Sequence, residues 1–502
     1  MKLDKDYYKA YEGRDEIILN KHASDTIVED IQCFDSQLEN HFAHVLMQAE
    51  ENIISKKDAA RIISALQELK QLGPDKIPYK PGLTDLYSNV EEWLIEKLGI
   101  DVGGRVHTGR SRNDMNSTIE RQHTRETILD LLEAMSLLLK TLLVEAEKHK
   151  ETVIPAYTHH SQQAQPVTLG HFYTSCFQMF SRDFERILES YKRVNQSTMG
   201  GAACATTSFP INRKRVADLL GFDGVLVNSM DACATVDFAY EPASAMAIYA
   251  NNIGRMGESL LLWNLNEVGI SRLAFKYCSY STIMPQKRNP VALETLRGSG
   301  EYAYGQLMTM LVSMKAYPQG QGREPGFVVS GYYGIVERMI ESTYLLEGIV
   351  RTLEVDKERA LKVTADGFST VTDLADSMVQ NYGLSFSAAK KIVGKVVVAA
   401  HDNNMTVHDI DSKFIKEIAK ETLDIDIEMT EDDIKHALDP YENVVRRKVL
   451  GGPSPACVQD MIDEDYKLVE EFDKAWKERR NALESSKKNL YELADKFVKD
   501  NL

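Results

Sequence analysis

Between residues 280 and 290 the chain reads Tyr280-Ser281-Thr282-Ile283-Met284-Pro285-Gln286-Lys287-Arg288-Asn289-Pro290. Two prolines bar a continuous helix through this stretch, so its polar groups are presented from an irregular loop. Pro290 suits the first position of a following helix, which places Asn289 at the N-cap. The free N–H groups of that helix end favour an anion, and Lys287 and Arg288 add positive charge. The combination is a carboxylate-binding device with a hydroxyl beside it. The blander alternative is an Asn-Pro helix cap with a solvated lysine, and on spacing alone the two stand about even.

Two other segments carry similar groups. Gly103-Gly104-Arg105-Val106-His107-Thr108-Gly109-Arg110-Ser111-Arg112-Asn113-Asp114 precedes a long helical pattern. A short hydroxyl, a guanidinium and an amide at a helix start can grip a carboxylate. The competing reading is an ordinary capped end, with Asn113 or Asp114 as the cap and Ser117-x-x-Glu120 as a capping box. Pro155-Ala156-Tyr157-Thr158-His159-His160-Ser161-Gln162-Gln163-Ala164-Gln165-Pro166 is read as a loop bearing two histidines. A loop histidine is usually just a polar residue, and a partner is what makes it catalytic.

These segments need rigid elements to hold them, and the pattern supplies long helices. Ile128, Leu131, Leu132, Met135, Leu138, Leu139 and Leu142 recur at helical spacing inside a stretch without Pro or Gly from Met115 to Thr152. Two further rods are predicted over 241–267 and 291–314, apolar around much of their circumference, as in a bundle that continues across a subunit interface. The charged stretch from Asp460 to Leu502 reads as a solvated or partner-facing helix. The fold class expected is all-α.

Composition narrows the function. The 502 residues carry a formal net charge of -16, with no basic stripe of domain size, so nucleic acid is not an expected partner. No apolar run reaches the length of a membrane helix, and the polar N-terminus does not resemble a secretory signal. A cytoplasmic protein is expected. The six cysteines (33, 176, 204, 233, 278 and 457) form no C-x-x-C pair, which argues for reduced thiols and against a zinc site or a disulfide framework.

The 280–290 segment resembles the fumarase/aspartase superfamily signature G-S-S-x-M-P-x-K-x-N-P, with Tyr280 for Gly and Thr282 for Ser. His107-Thr108-Gly109-Arg110-Ser111-Arg112-Asn113-Asp114 is the form this region takes in the argininosuccinate lyase family. Thr84-Asp85-Leu86 is similar to that family's E-D-I, and the 155–166 segment to its Y-T-H-x-Q-x-A-Q-P. The stretches around 372–394 and 437–458 resemble its C-terminal domain. The resemblance implies a three-domain fold with a long central helical bundle: an N-terminal helical domain (1–105), the bundle (106–365), a C-terminal helical domain (366–452) and an extension (453–502). It further implies a homotetramer with active sites shared between subunits, a small-molecule substrate, and no metal or cofactor.

The implied reaction is β-elimination of fumarate from an N-substituted L-aspartate, argininosuccinate giving arginine in the family's own case. The proton removed lies beside a carboxylate, so the intermediate carries doubled negative charge and requires cations and N–H donors already in place. By resemblance Ser281 is the general base, Lys287 stabilises that charge, and Asn289 binds a substrate carboxylate. Ser111, Arg112, Asn113 and Thr158 contact substrate. A catalytic histidine pairs with Glu294. The histidine segment has one residue too many. Counting from Tyr-Thr selects His159, whereas counting back from Gln-Ala-Gln-Pro selects His160, the register we prefer.

The departures have a direction. The family's N-terminal W-G-G-R-F is not convincingly present, and the C-terminal helix is longer. In the stretch that contacts the arginine half, Gln321 stands for a Tyr, Gly326 for a Gln and Val329 for a Lys, while Arg323 keeps a cation. Groups for the fumarate half persist and groups for the leaving half have changed, which keeps open a paralogous carbon–nitrogen lyase in the manner of ethylenediamine-disuccinate lyase. An inert, crystallin-like descendant is the third reading, opposed by the retention of Ser281, Lys287, Asn289 and Glu294.

Overall fold

A computed structural model of the chain describes residues 31, 33–77, 79–80, 83, 85–159, 161–320 and 324–502. The fold is all-α with a few two-stranded ladders, and its axis is the helix α4, Arg112–Lys148. At 37 residues this rod is about 55 Å long. Leu131, Leu132, Leu138, Leu139 and Leu142 are all fully buried, so the helix is covered on several sides, as its apolar pattern requires. It begins three residues before the proline-free pattern does. Ser111 is the N-cap and forms a capping box with Asp114, in place of the box expected at Ser117 and Glu120.

Four more helices complete a bundle with α4. The helix α5 (Leu169–Val194) runs back along it, starting where the Leu169 N–H bonds Thr152 O and ending where Arg121 Nη1 donates to Arg193 O at 3.1 Å. Gly170 permits the tight start, since a Cβ there would lie 2.6 Å from Ala146 O. Helix α6 (Asp237–Trp263) runs parallel to α4, from Asp237 near Arg121 to Trp263, whose ring meets Phe172 of α5 at 4.7 Å. Helix α7 (Val291–Ser313) runs down and α8 (Glu324–Thr352) returns, with Tyr332 Oη 2.9 Å from Thr127 Oγ1 and Glu347 accepting from Thr141 at 3.0 Å. The direction of each helix therefore assigns every connecting segment to one end of the bundle.

A second core joins α1 (Phe34–Glu50), α2 (Lys56–Leu72) and α3 (Leu86–Leu98) through Phe42, Leu46, Ile62, Leu66 and Val90. A third, around Leu374, Met378, Ile392 and Ile434, belongs to the helices between 371 and 438. The last helix, α9 (Pro455–Asn501), is not the solvated rod its composition suggested. Its Val458, Ile462, Val469, Phe472 and Trp476 are buried in the bundle core, and Leu490 and Ala494 enter the N-terminal core. Phe472 stacks on Phe184 with ring centres 4.3 Å apart. Charged residues fill the other faces and hide this stripe in a composition count.

Candidate active site

The signature segment folds as a hairpin. The strands Ser279–Tyr280 and Arg288–Asn289 pair antiparallel, Ser279 opposite Asn289 and Tyr280 opposite Arg288, and residues 281–287 form the loop between them. Ser281 Oγ accepts from the N–H groups of Met284 (3.1 Å) and Ile283 (3.4 Å). Two N–H donors on one hydroxyl oxygen favour its alkoxide form. The Lys287 N–H closes the turn on Met284 O at 3.0 Å, leaving the Lys287 side chain exposed. Asn289 is held in the ladder, its Nδ2 donating to Ser279 Oγ at 3.4 Å, so it does not cap the following helix. Pro290 occupies that position instead, and no side chain caps α7. The Leu293 N–H bonds Pro290 O at 2.9 Å, so it is the N–H groups of Val291 and Ala292 that this end offers to a ligand. Glu294 sits exposed in the first turn of the same helix. Met284–Pro290, Asn264, Arg272 and Cys278 line an open cleft of about 840 Å³.

The histidine segment is a second hairpin rather than a loop. Strands β1 (Val153–Thr158) and β2 (Gln162–Thr168) pair with a bulge between Pro155 and Tyr157, and α5 begins only at Leu169. Thr158 closes the tip opposite Gln162, and His159 follows in the left-handed region (φ 41°), exposed. His160, the preferred candidate, lies outside the described residues, as do Gln321 and Arg323.

The third segment is the capped start of α4. Ser111 Oγ accepts from Asn113 N at 3.3 Å, and Arg112 pairs with Asp85, the N-cap of α3. The turn rests on buried groups that sequence reasoning did not single out. Thr108 O accepts from His44 Nε2 (2.9 Å) and Gln48 Nε2 (2.7 Å), and Arg110 donates to His41 Nδ1 at 2.6 Å. Burial, then the Arg110 charge, hold His44 down to about 3 and His41 well below the ordinary imidazole value, so both are neutral at pH 7. Their position on α1 gave no signal, because in sequence they sit among ordinary core residues. Asp114 was visible, since Ser111-x-x-Asp114 has capping-box spacing.

The bundle does not bring the three segments together within one chain. The 111–113 turn starts α4, and β1 begins five residues after its end, so the two lie at opposite ends of a rod of about 55 Å. The 264–290 segment joins the top of α6 to the top of α7, the end that also bears the histidine hairpin. Among the described residues no hydrogen bond or ion pair links Ser281, Lys287 or Asn289 to Ser111, Arg112, Asn113, Thr158 or His159.

Comparison with known proteins fits this arrangement to one family. Residues 19–305 match the lyase family and residues 368–445 match the argininosuccinate lyase C-terminal family. The argininosuccinate lyase of Methanocaldococcus jannaschii is 38% identical over 467 residues, covering 92% of this chain and 95% of that protein. The chain belongs to the argininosuccinate lyase family. The family's enzyme from Methanosarcina barkeri is 38% identical, with 90% of each chain covered. Among solved structures, EDDS lyase in complex with formate superposes with a TM-score of 0.86 at 30% identity, covering 98% of this chain and 97% of that one. A class II fumarase from Schistosoma mansoni, 16% identical over 82% of this chain and 90% of that one (TM-score 0.67), shares the fold. No helix among the described residues is long and apolar enough to cross a membrane.

Proposed function

We propose that this carbon–nitrogen lyase cleaves argininosuccinate to arginine and fumarate, serving arginine biosynthesis in the cytoplasm. Ser281 takes the proton from the carbon beside the substrate carboxylate. The electron pair left behind spreads into that carboxylate, where Lys287 and the uncapped N–H groups of α7 receive the charge. The C–N bond then breaks, the histidine of the 158–160 tip, oriented by Glu294, protonates the departing nitrogen, and fumarate remains. Ser111, Arg112, Asn113, Thr158 and Asn289 hold the substrate, with Gln321 and Arg323 toward the leaving half. One observation carries the reading: a single hairpin presents the Ser281 hydroxyl, with two N–H donors on its oxygen, and the Lys287 cation beside an uncapped helix end. That pairing can make a serine a base at neutral pH.

The working form is a homotetramer whose sites draw on several copies. Two observations support this. The length of α4 separates groups that must meet on one small substrate. The chain alone also leaves apolar side chains in water on α7 and α8, among them Met308 (61% exposed), Val312 (59%) and Phe327 (63%), a surface suited to another copy.

Incubation with argininosuccinate, following fumarate by ultraviolet absorbance, tests the function. Release of fumarate is expected. A second reading, a lyase with a different amine, is favoured by the changed residues at 321, 326 and 329 and by the likeness to EDDS lyase. Silence with argininosuccinate but consumption of fumarate with another amine would select it. Silence with every amine would leave an inert relative.

A further inference from the structure

The loop that follows Val194 carries a strained backbone with no role in the reaction described so far. Gly200, Ala202, Cys204 and Thr206 all have positive φ (82°, 50°, 72° and 55°), and three of them are not glycine. Such residues persist only where their surroundings hold them. Alternation of this kind turns successive N–H groups toward one point and makes a nest for an anion. The anion present is the carboxylate of Asp114, which is fully buried. Its Oδ2 accepts from Gly200 N (2.7 Å) and Ala202 N (2.9 Å), while Oδ1 accepts from Ser111 N at 2.9 Å. Its main-chain carbonyl accepts from Thr198 Oγ1 (3.0 Å) and Thr118 Oγ1 (2.7 Å). Burial pushes this carboxyl's pKa up, and the N–H bonds from Ala202, Ser111 and Gly200 pull it back.

The loop also touches the turn from its other side. Gly109 has φ 77°, and a Cβ there would lie 3.1 Å from Ile211 Cγ2, 3.6 Å from Thr207 Cγ2 and 3.8 Å from Phe209 Cβ. Arg213 pins the far edge, donating from Nε to Met199 O (3.0 Å) and from Nη2 to Leu226 O (2.8 Å). Residues 198–211 therefore clamp the 108–114 turn front and back, and the Asp114 carboxylate bonds the N–H groups of both parts at once.

We propose that Asp114 is a positioning residue: by locking the strained 200–206 nest to the N-cap of Ser111, it sets the geometry with which Ser111, Arg112 and Asn113 grip the substrate's carboxylate. The proposal rests on the substrate-binding role assigned above. Gripping groups act on ground state and transition state alike, so loosening them raises KM and leaves kcat nearly unchanged.

The test compares Asp114→Asn and Asp114→Ala with the unmodified protein. Asparagine keeps an oxygen for the nest but turns an N–H toward the Ser111 N–H, so it breaks one half of the lock without changing shape. Expected for Asp114→Asn are a KM for argininosuccinate raised about ten-fold, a kcat within about three-fold, and a fumarate affinity weakened in parallel by calorimetry. Hydrogen exchange in Asp114→Ala should quicken at Gly200 and Ala202; should that variant not fold, the asparagine variant decides alone. An unchanged KM and fumarate affinity, or a fall in kcat with KM unchanged, would overturn the proposal, as would unchanged exchange in a folded alanine variant. No argininosuccinate turnover by the unmodified protein would refute the functional reading instead, and fumarate affinity would still judge Asp114.

Discussion

The seam of α9 contains one group that works against folding, and replacing it gives a test of that helix's place. Asp465 lies in line with Val458, Ile462, Val469 and Phe472 on the buried face; it is 7% exposed, and its Oδ2 has no hydrogen-bond partner. Burial first, and the neighbouring Glu464 second, raise its pKa from the ordinary 3.8 to about 7. A raised acid binds its proton more tightly in the folded state, so the stability is present below the unfolded value and is lost as pH rises from about 4 to about 7. That rise corresponds to about 4 kcal/mol held against the ionised form at pH 8. Asparagine keeps the shape and removes the charge but leaves an amide short of partners, at a cost of about 1–3 kcal/mol. Asp465→Asn should therefore be more stable than the unmodified protein by roughly 2 kcal/mol at pH 8 and about equal to it at pH 5, where the ionisation cost is only about 1.6 kcal/mol. Thermal or urea melting followed by circular dichroism at the two pH values measures this. A lower midpoint for the variant at pH 8, or an equal difference at both, would refute the burial of α9 against its own bundle.

Ser281→Ala should lower kcat by about 100- to 10,000-fold, the usual contribution of a general base, with KM little changed; steady-state fumarate release reads it, and near-normal turnover would remove Ser281 from the mechanism. His44 acts on stability in the opposite sense to Asp465. Its folded value of about 3 lies below the ordinary 6.5, so its contribution is complete above pH 6.5 and is lost as pH falls toward 3. Protection against hydrogen exchange at the 105–113 turn, taken relative to the intrinsic rate at each pH, should fall between pH 7 and pH 5, and much less so in His44→Gln.

Much of this was legible in the residues, for reasons that differ from segment to segment. The run from Ile128 to Leu142 announced a buried rod because helix periodicity is local. Its start was misplaced because a capping box was sought at Ser117 and Glu120, although Ser111 and Asp114 have the same spacing and are the pair the loop at 200–202 completes. The histidine segment became a hairpin through cross-strand pairing, which leaves little trace in a short stretch containing two prolines. In α9, six positions spaced as in a coiled coil are diluted by charge, so the buried stripe was overlooked. The signature loop was legible as chemistry but not as the hairpin that holds Asn289 away from the cap. No motif stated the distance between the gripping turn and the histidine tip. That distance is simply the length of the helix between them.

Separation along α4 is the claim on which the shared site stands, and mixing two inactive variants tests it most directly. Assayed at argininosuccinate far below KM, Ser281→Ala and Arg112→Ala are each expected to be nearly inactive, the first through kcat and the second through KM. If a working site takes Ser281 from one copy and Arg112 from another, refolding the two variants together in equal amounts restores about a quarter of the native activity, because chance assembly gives about that share of sites both intact groups. Activity no higher than that of the separate variants, in assemblies shown to be mixed, would contradict it.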